Sequence, residues 1–472
     1  MHRLRFPALV LMSAAVASAV ALAVVGPAVG DRDRDRGHGP PSWWSPPRDV
    51  RAMLGQIDSR SLERYDRALV GFGTRHTLSS QDDPNRGIGA ARDWIRDQFA
   101  QIATTSGGRM TVELQSYIQP PASRIPVPTR ITNVVATLRG TDPASADRVY
   151  VVSAHYDSRV TDVLNATSDA PGANDDGSGT SAVIELARVF AARPTEATIV
   201  FVAFAGEEQG LYGSTHFAQL ARQNNWNIQG VLNMDIIGNS VGGNGVRDPR
   251  TIRVFSEGVP TSETPQQTAR RQSIGGENDG ISRQLARYVK ETGENRATGM
   301  RVKLVWRRDR FLRGGDQIPF LERGWPAVRF TEPNENYDHQ HQDVRVENGR
   351  QFGDLLRFVD FDYLERATRV VGSSLAALAR SPRAPVNARV ITANLSYDTE
   401  LRWNANPEPD VVGYEVVWRD SIMPLWTHSR RVGNVTGYTI EGLNKDDYQV
   451  GVRAIDRDGN RSPVAYPIPA SQ

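Results

Sequence analysis

The hydrophobic positions between residues 50 and 380 follow two alternating periods. Spacings of three and four residues predict helices near residues 50–69, 90–102, 180–192, 213–224, 281–291 and 361–379. Short Val-rich apolar runs predict strands near residues 133–138, 149–154, 198–205, 230–236, 251–258 and 302–307. This alternation is typical of an α/β fold in which helices flank a mostly parallel central sheet. Residues 259–280 are polar and glycine-rich, which predicts a loop.

After Pro385 the pattern changes to short strands separated by turns, as in a small all-β sandwich. Residues 410–416 and 443–450 resemble a fibronectin type III domain. Residues 381–385 look like a linker, so we expect residues 382–472 to form a separable module. Trp426 falls in a predicted loop of this module and is a candidate contact for protein or carbohydrate.

The first thirty residues predict an export signal. A basic start with Arg3 and Arg5 precedes an apolar run over 9–25 and small residues at 28–30, where cleavage is expected. An uncleaved membrane anchor is the alternative. Elsewhere the chain has no apolar stretch long enough to span a bilayer, so we expect a secreted protein, extracellular or periplasmic, without stable membrane insertion.

Composition narrows both the domain plan and the chemistry. Residues 31–48 alternate Asp and Arg and then turn to Gly and Pro, which predicts a disordered linker before a domain at 49–381. Lys and Arg total 56 against 54 Asp and Glu, a balance that argues against a nucleic-acid partner. The chain has no Cys, so a metal site must use His and carboxylates.

Four segments at predicted strand or helix ends carry candidate chemistry. His155 and Asp157 lie at the end of one predicted strand, and Glu207 and Glu208 follow another. Two further acids are candidates: Asp175 in a glycine-rich turn before a predicted helix, and Asp235 within an apolar strand. Taken singly, each has an ordinary explanation, such as a hydrogen-bonded loop residue or an acid at a helix N-terminus. Together they predict one site, because ligands gather at the carboxyl edge of such sheets.

In that order, the segments resemble the co-catalytic di-zinc exopeptidase family, over roughly residues 50–380. This family includes bacterial leucyl aminopeptidases, glutamate carboxypeptidases and glutaminyl cyclases. The resemblance implies two Zn²⁺ per chain. It also implies the following roles: His155 and Asp235 as ligands of one zinc, Asp175 as the bridging ligand, Glu208 as a ligand of the other zinc, Asp157 as the orienting partner of His155, and Glu207 as the general base.

The family's late histidine ligand has two candidates here. His339 keeps the family's four-residue spacing to an acid, Asp343, and is the preferred ligand, with His341 as the alternative. The family's Tyr before the ligand is replaced by Asp338, which leaves the group that steadies the oxyanion open, with Tyr337 one place away. Asp316 lies in a segment similar to another family motif and has at most a supporting role.

These features predict a secreted zinc aminopeptidase acting on peptide or protein substrates. A carboxypeptidase or dipeptidase on the same scaffold is a rival, since it needs a cation to hold a carboxylate and Arg307, Arg308, Arg310 and Arg329 are available. A glutaminyl cyclase, which usually works with one zinc, is a second rival. A non-catalytic binding module is the least favoured, because every ligand position is filled.

Overall fold

Helices and strands alternate through most of the chain in the computed structural model, which describes residues 44–393 and 395–470. The helices are α1 (Arg48–Leu54), α2 (Ser59–Gly71), α3 (Ile88–Ala103), α4 (Gly179–Ala191), α5 (Glu207–Gly210), α6 (Tyr212–Gln223), α7 (Pro265–Ser273), α8 (Ile281–Gly293), α9 (Ile318–Leu321) and α10 (Phe361–Leu378). The predicted export signal and most of the predicted linker lie outside the described residues. The boundaries of the predicted domains therefore stay predictions.

Eight strands form the central sheet. They are β1 (Met110–Gln119), β2 (Thr129–Leu138), β3 (Arg148–His155), β4 (Thr198–Phe204), β5 (Asn227–Met234), β6 (Thr251–Phe255), β7 (Arg301–Val305) and β8 (Ala327–Thr331). Their order is β1-β2-β4-β3-β5-β8-β6-β7. The neighbouring strands β4, β3, β5 and β8 pair in parallel, as do β6 and β7. The pairs β1–β2, β2–β4 and β6–β8 are antiparallel. The α/β prediction is confirmed.

Two apolar layers cover this sheet. Alternate side chains of β4 face opposite layers: Phe201 belongs to the layer that includes residues of α2, α3, α4 and α10, whereas Val202 belongs to the layer that includes residues of α6 and α9. Both strands at the centre, β3 and β4, are buried along their whole length, which explains their nearly continuous apolar sequence. The site described below lies where these central strands end.

Several elements were not predicted from the sequence, and three of them have a clear physical reason. The strand β1 was not predicted, because its apolar and polar positions mix on a half-exposed edge strand. The strand β8 was missed because its five residues include Arg329, which ion pairs keep buried. The predicted loop at 259–280 contains α7, whose polar sequence hides a capping box between Thr264 and Gln267.

Nine short strands follow the central sheet. They are β9 (Arg345–Glu347), β10 (Arg350–Phe352), β11 (Arg389–Ile391), β12 (Thr399–Arg402), β13 (Val411–Asp420), β14 (His428–Val432), β15 (Gly437–Ile440), β16 (Tyr448–Asp456) and β17 (Ile468–Ala470). The last seven form two sheets, β15-β12-β11-β17 and β14-β13-β16, that share a core containing Leu401, Trp403 and Tyr414. We call this region the β-module. Its small all-β character is confirmed, and the fibronectin type III assignment stays a prediction.

The β-module contacts α8 through buried charges. Arg419 donates two hydrogen bonds to Asp279, at 2.8 and 2.7 Å, and Arg453 donates two to Glu291, at 2.8 and 3.0 Å. Trp426 is buried beneath Arg419, so the expectation of an exposed contact for protein or carbohydrate at this residue is wrong. The described residues from 44 onward, the β-module included, belong to one compact unit, and the separability of residues 382–472 stays a prediction.

None of the helices in the described ranges combines the length and the apolar composition needed to cross a bilayer.

Candidate metal centre

Three of the predicted segments meet at one edge of the central sheet. His155 is the last residue of β3, Glu207 and Glu208 come shortly after β4, and Asp235 follows β5. Because β3 is parallel to both β4 and β5, these residues emerge at the same edge. The order of the strands therefore brings together side chains that are up to eighty residues apart in sequence.

Asp175 joins this edge from the turn that precedes α4. Asp354 holds the turn in place by accepting hydrogen bonds from the backbone N–H groups of Asn174, at 2.9 Å, and Asp175, at 2.7 Å. The Asp175 carboxylate faces two imidazoles: Oδ1 lies 3.2 Å from Nε2 of His155, and Oδ2 lies 2.9 Å from Nε2 of His341. Asp175 thus lies between the two imidazoles and contacts one with each carboxylate oxygen.

The carboxylates and imidazoles at this edge form two adjacent groups. Within each group, one nitrogen or oxygen from every residue lies within 4.8 Å of the others; the groups are His155, Glu207 and Asp235, and Asp175, Glu208 and His341. In the first, Nε2 of His155 lies 3.9 Å from Oδ1 of Asp235 and 4.0 Å from Oε2 of Glu207. In the second, Nε2 of His341 lies 2.9 Å from Oε1 of Glu208.

The structure corrects the choice between the two late histidines. His341, the alternative, lies in the site, whereas His339 stacks on the ring of Phe358 with 3.5 Å between ring centroids. The backbone explains the exchange, since His341 adopts a left-handed conformation with φ of 52° that turns its side chain toward Asp175. The four-residue spacing between His339 and Asp343, on which the preference for His339 was based, does not reveal this backbone angle.

Asp157 fixes the neighbouring segment rather than facing the pocket. Its carboxylate accepts hydrogen bonds from the backbone N–H groups of Glu207, at 3.3 Å, and Glu208, at 3.1 Å. Its Oδ1 lies 3.6 Å from Nδ1 of His155, whose closer partner is the Asp157 carbonyl oxygen at 3.1 Å. Asp157 therefore positions both His155 and the two glutamates, as an orienting residue would.

The donor set suits zinc. Zinc in proteins takes imidazole nitrogen and carboxylate oxygen, and the two groups supply one imidazole each. Oε1 of Glu208 and Nε2 of His341 are buried and make no hydrogen bond of acceptable geometry within the described part of the chain. Buried polar atoms of this kind call for a partner, and a shared cation is the chemistry that satisfies a carboxylate and an imidazole together.

The electrostatics of the protein groups point the same way. Burial raises the pKa of Glu207 well above its usual range, and the nearby acids Asp235 and Glu208 reinforce that rise. Burial opposes protonation of His341, but the charges of Glu208 and Asp175 outweigh it and raise its pKa to about 10. For His155 the neighbouring carboxylates likewise outweigh burial and hold its pKa well above the ordinary value. Such a concentration of negative charge favours bound cations.

Two arginines in the site have no counterpart in the sequence analysis of the metal centre. Nη2 of Arg329 lies 2.7 Å from Oδ1 of Asp235, and Nε of Arg159 donates to Oε2 of Glu208 at 2.9 Å. Arg159 also approaches Nδ1 of His341 to 2.6 Å. The two carboxylates use their oxygens differently. Glu208 directs Oε2 to Arg159 and Oε1 to His341, whereas Oδ1 of Asp235 lies near both Arg329 and His155. No periodicity or motif in the sequence identifies Arg159 for this role.

Buried acids support the site from behind. Asp176 accepts hydrogen bonds from the backbone N–H groups of His155 and Ile236, both at 3.2 Å, and so ties the ends of β3 and β5 together. Asp316 is fully buried, and burial raises its pKa to about 7. The supporting role expected of Asp316 from the sequence stays a prediction. Asp176 and Asp354 escaped sequence reasoning, because a buried acid that only accepts backbone hydrogen bonds leaves no pattern.

The two groups open into a pocket of about 550 Å³. This volume suits a ligand of a few residues rather than an extended chain. Its lining includes acids of both groups, four arginines and the side chain of Tyr337. Of the four arginines expected to hold a carboxylate, only Arg310 lines the pocket: Arg329 is tied to Asp235, Arg307 stacks on Phe311, and Arg308 pairs with Glu322.

An α/β sheet with two adjacent carboxylate–imidazole groups at its carboxyl edge is compatible with a metallopeptidase, and the comparisons with known proteins identify that class. Residues 133–350 match the model of peptidase family M28. The chain is 50% identical to a probable zinc metalloprotease of Leptosphaeria maculans over 425 residues, which cover 90% of this chain and 98% of the relative. It is 52% identical to a probable zinc metalloprotease of Pyricularia oryzae over 431 residues, with coverages of 90% and 85%.

The chain belongs to peptidase family M28, which confirms the family resemblance. Among solved structures it is similar to the LapA aminopeptidase of Legionella pneumophila, at 20% identity and a TM-score of 0.48, with 70% of this chain and 74% of that one covered. That likeness is too distant to support a conclusion about activity.

Proposed function

We propose that the protein is a zinc-dependent aminopeptidase that removes N-terminal residues from peptides and uses two Zn²⁺ per chain. The observation that carries the proposal is the position of Asp175 between His155 and His341, which joins two ligand groups into one centre. Membership in an M28 peptidase family whose relatives are named probable zinc metalloproteases supports the metal and the reaction class. We assign His155 and Asp235 to one zinc, Glu208 and His341 to the other, and Asp175 to both.

The chain's own residues supply the remaining chemistry. Zinc bound at such a centre lowers the pKa of a water molecule and polarises a carbonyl group. Glu207 accepts the proton from the attacking water and then delivers it to the departing amine nitrogen. Its raised pKa fits a residue that must hold a proton between these two steps. Asp157 keeps Glu207 and His155 in register through the backbone contacts described above.

The charges in the pocket support the proposal of cleavage at the amino end. Asp175, Glu207, Glu208 and Asp235 all line it, and such a concentration of carboxylates attracts a substrate ammonium group. The limited volume of the pocket favours a chain end over an internal segment. Arg310 in the lining favours the carboxypeptidase or dipeptidase alternative as the second candidate.

Peptides with blocked and free ends separate the two candidates. We expect the zinc-loaded protein to release the N-terminal residue from a free tripeptide and from its C-terminal amide, and N-acetylation to abolish cleavage. Mass spectrometry of the products identifies the bond that is cut. Release of the C-terminal residue from an N-acetylated peptide would replace the aminopeptidase with a carboxypeptidase.

Metal stoichiometry separates the peptidase from the glutaminyl cyclase alternative. We expect elemental analysis to find about two zinc ions per chain in the active protein. One zinc with full activity, and cyclisation of an N-terminal glutamine, would support the cyclase. Retention of both ions without hydrolysis of any peptide would support the binding module.

Secretion is a proposal that rests on the N-terminal sequence alone. We expect expression of the full chain in a secreting host to deliver a protein whose N-terminus lies near residue 30. N-terminal sequencing of the protein from the medium checks this. A chain that stays in the membrane fraction with residues 1–30 attached would favour the uncleaved anchor.

A further inference from the structure

Part of the pocket wall is built from arginines that the assigned chemistry does not use. Arg124, Arg159, Arg310 and Arg313 all line the pocket. Arg159 is occupied by Glu208 of the metal centre. The other three come from two separate turns, and we call them the arginine wall.

The positive charge of the arginine wall is only partly compensated. Glu335 is shared by Arg310, at 2.8 Å, Arg313, at 3.0 Å, and Arg253, at 2.8 Å. Arg310 has a second partner in Asp309, which is itself shared with Arg329. Three guanidinium groups around one carboxylate retain donors for a further anion.

Arg124 is still less compensated. It donates one hydrogen bond to the carbonyl oxygen of Glu208, at 2.9 Å, and has no carboxylate partner among the described residues. This contact places its guanidinium next to the second ligand group. The four acids that line the pocket are assigned to the metal ions and to proton transfer, and none of them forms an ion pair with Arg124 in the described part of the chain.

The backbone of both turns supports a role in binding. Arg124 has a φ of 101° at the tip of a tight turn closed by hydrogen bonds between Ala122 and Ile125. Leu312, beside Arg313, has a φ of 54° and a fully exposed side chain. Non-glycine residues seldom adopt such angles, and strain of this kind concentrates at ligand-binding positions.

We propose that the arginine wall binds a carboxylate of the substrate on the far side of the scissile bond, and so makes the enzyme selective for short peptides that carry an acidic group there. The inference rests on the proposed peptidase function. Two sources offer the same chemistry: the free C-terminus of a dipeptide and the side chain of an Asp or Glu after the cleaved bond. Guanidinium pairs with either through charge-assisted hydrogen bonds.

Four dipeptide substrates distinguish these sources. Leu-Gly and Leu-Gly-amide differ in the C-terminal carboxylate, whereas Leu-Glu-amide and Leu-Gln-amide differ in the side-chain carboxylate. We expect the wild type to have about tenfold higher kcat/KM for the charged member of at least one pair, in line with one charge-assisted hydrogen bond. The pair that shows the preference identifies the source.

Variants then test the arginines themselves. We expect Arg313→Ala and Arg124→Ala to remove most of the preference, by raising KM for the charged substrates much more than for the neutral ones. We expect Arg313→Lys to restore part of the preference. Arg313→Ala leaves Glu335 with Arg253 and Arg310, so the fold is not at risk. Arg308→Ala is the matched control, because Arg308 lies in the same segment but pairs with Glu322 outside the pocket lining.

Binding without turnover makes the test independent of activity. Calorimetry with the zinc-loaded Glu207→Gln protein measures the affinity for the same four peptides. Tighter binding of the charged peptides that disappears when Arg124→Ala and Arg313→Ala are added supports the role of the arginine wall. This binding result does not depend on hydrolysis. If the active protein hydrolyses no peptide, the proposed function fails, but the binding preference can still be measured. Equal affinity for charged and neutral peptides, or an equal loss of affinity for both in the variants, would overturn the proposed role of the arginine wall.

Discussion

The metal centre and the contact between α8 and the β-module both bury several charges, but the two regions differ in how completely those charges are paired. At the contact, Arg419 and Arg453 each meet a carboxylate with two hydrogen bonds. At the centre, arginines hold Asp235 and Glu208 by one oxygen each, and other carboxylates face the pocket.

Burial of charge is therefore not itself a mark of function. Paired buried charges fix one arrangement of elements, whereas partly paired ones leave capacity for a ligand. The difference predicts that changes at the centre reduce activity with little loss of stability, and that changes at the contact do the reverse.

The largest effect should come from Glu207→Gln. The amide cannot accept a proton, so we expect kcat to fall by roughly 10²- to 10⁴-fold while zinc content and thermal stability stay unchanged. Steady-state kinetics and elemental analysis of the same sample measure this. Glu208→Ala is the contrasting variant, since it should lose metal as well. Near-normal turnover in Glu207→Gln would show that another group is the base.

The two histidines provide the sharpest test within the site. His341→Ala should weaken zinc binding by at least about 100-fold and reduce activity with it, because even residues that only support a ligand cost 10- to 100-fold. His339→Ala should retain zinc and activity, since its ring packs on Phe358. Zinc titration with a chelating competitor gives both affinities. The opposite ranking would return the ligand to His339.

At the contact, Arg419→Ala should destabilise the protein by about 3 kcal/mol, because buried Asp279 loses the two hydrogen bonds from Arg419 and keeps only Gln284 and the more distant Arg287. Arg402→Ala is the control: its pair with Glu400 is exposed, and its loss should cost under about 1 kcal/mol. Denaturant unfolding measures both, and kcat of the folded fraction should not change. A stable Arg419→Ala protein with reduced kcat would erase the distinction between the two regions.

The smallest expected effect is a dependence of stability on pH at Glu196. Burial raises its pKa to about 8, with Asp410 and Asp456 adding to the rise and Arg148 opposing it. The folded state therefore binds this proton more tightly than the unfolded chain, whose Glu pKa is about 4.3. Its contribution is complete below about pH 4 and is lost as the pH rises through 8.

Glu196→Gln should consequently reduce the loss of stability between pH 5 and pH 9 by about 1–2 kcal/mol, after allowance for its partial exposure. Denaturant unfolding at both pH values checks this, with the exposed Glu113→Gln as control. An identical pH dependence in Glu196→Gln and the wild type would mean that Glu196 is ionised throughout.

Sequence patterns predicted the parts of the molecule that follow a simple period. The buried strands β3, β4 and β5 and the residues at their ends were predicted together, because long apolar runs and the acids that interrupt them are visible without the fold. Glu207, Glu208 and Asp235 were found in this way, although their roles at a metal centre stay predictions.

The rest depended on contacts that sequence does not encode locally. The strand β8 was missed because it contains a charged residue, Arg329. The ion pairs that allow Arg329 to be buried, with Asp235 and Asp309, form only when β5 and β8 are adjacent. The choice of His341 over His339 depended on one left-handed backbone angle. Asp354 was missed because its partners, Asn174 and Asp175, lie about 180 residues away.

The contact between Asp354 and the turn at Asn174 has a consequence for local unfolding. His341 and Asp354 lie on the same connection between β8 and α10, so any opening of that connection removes a proposed ligand and frees the Asp175 turn in one event. The backbone amides of Asn174 and Asp175 should then exchange with solvent deuterium at the rate of residues 338–354, despite their distance in sequence, and zinc should slow both sets equally.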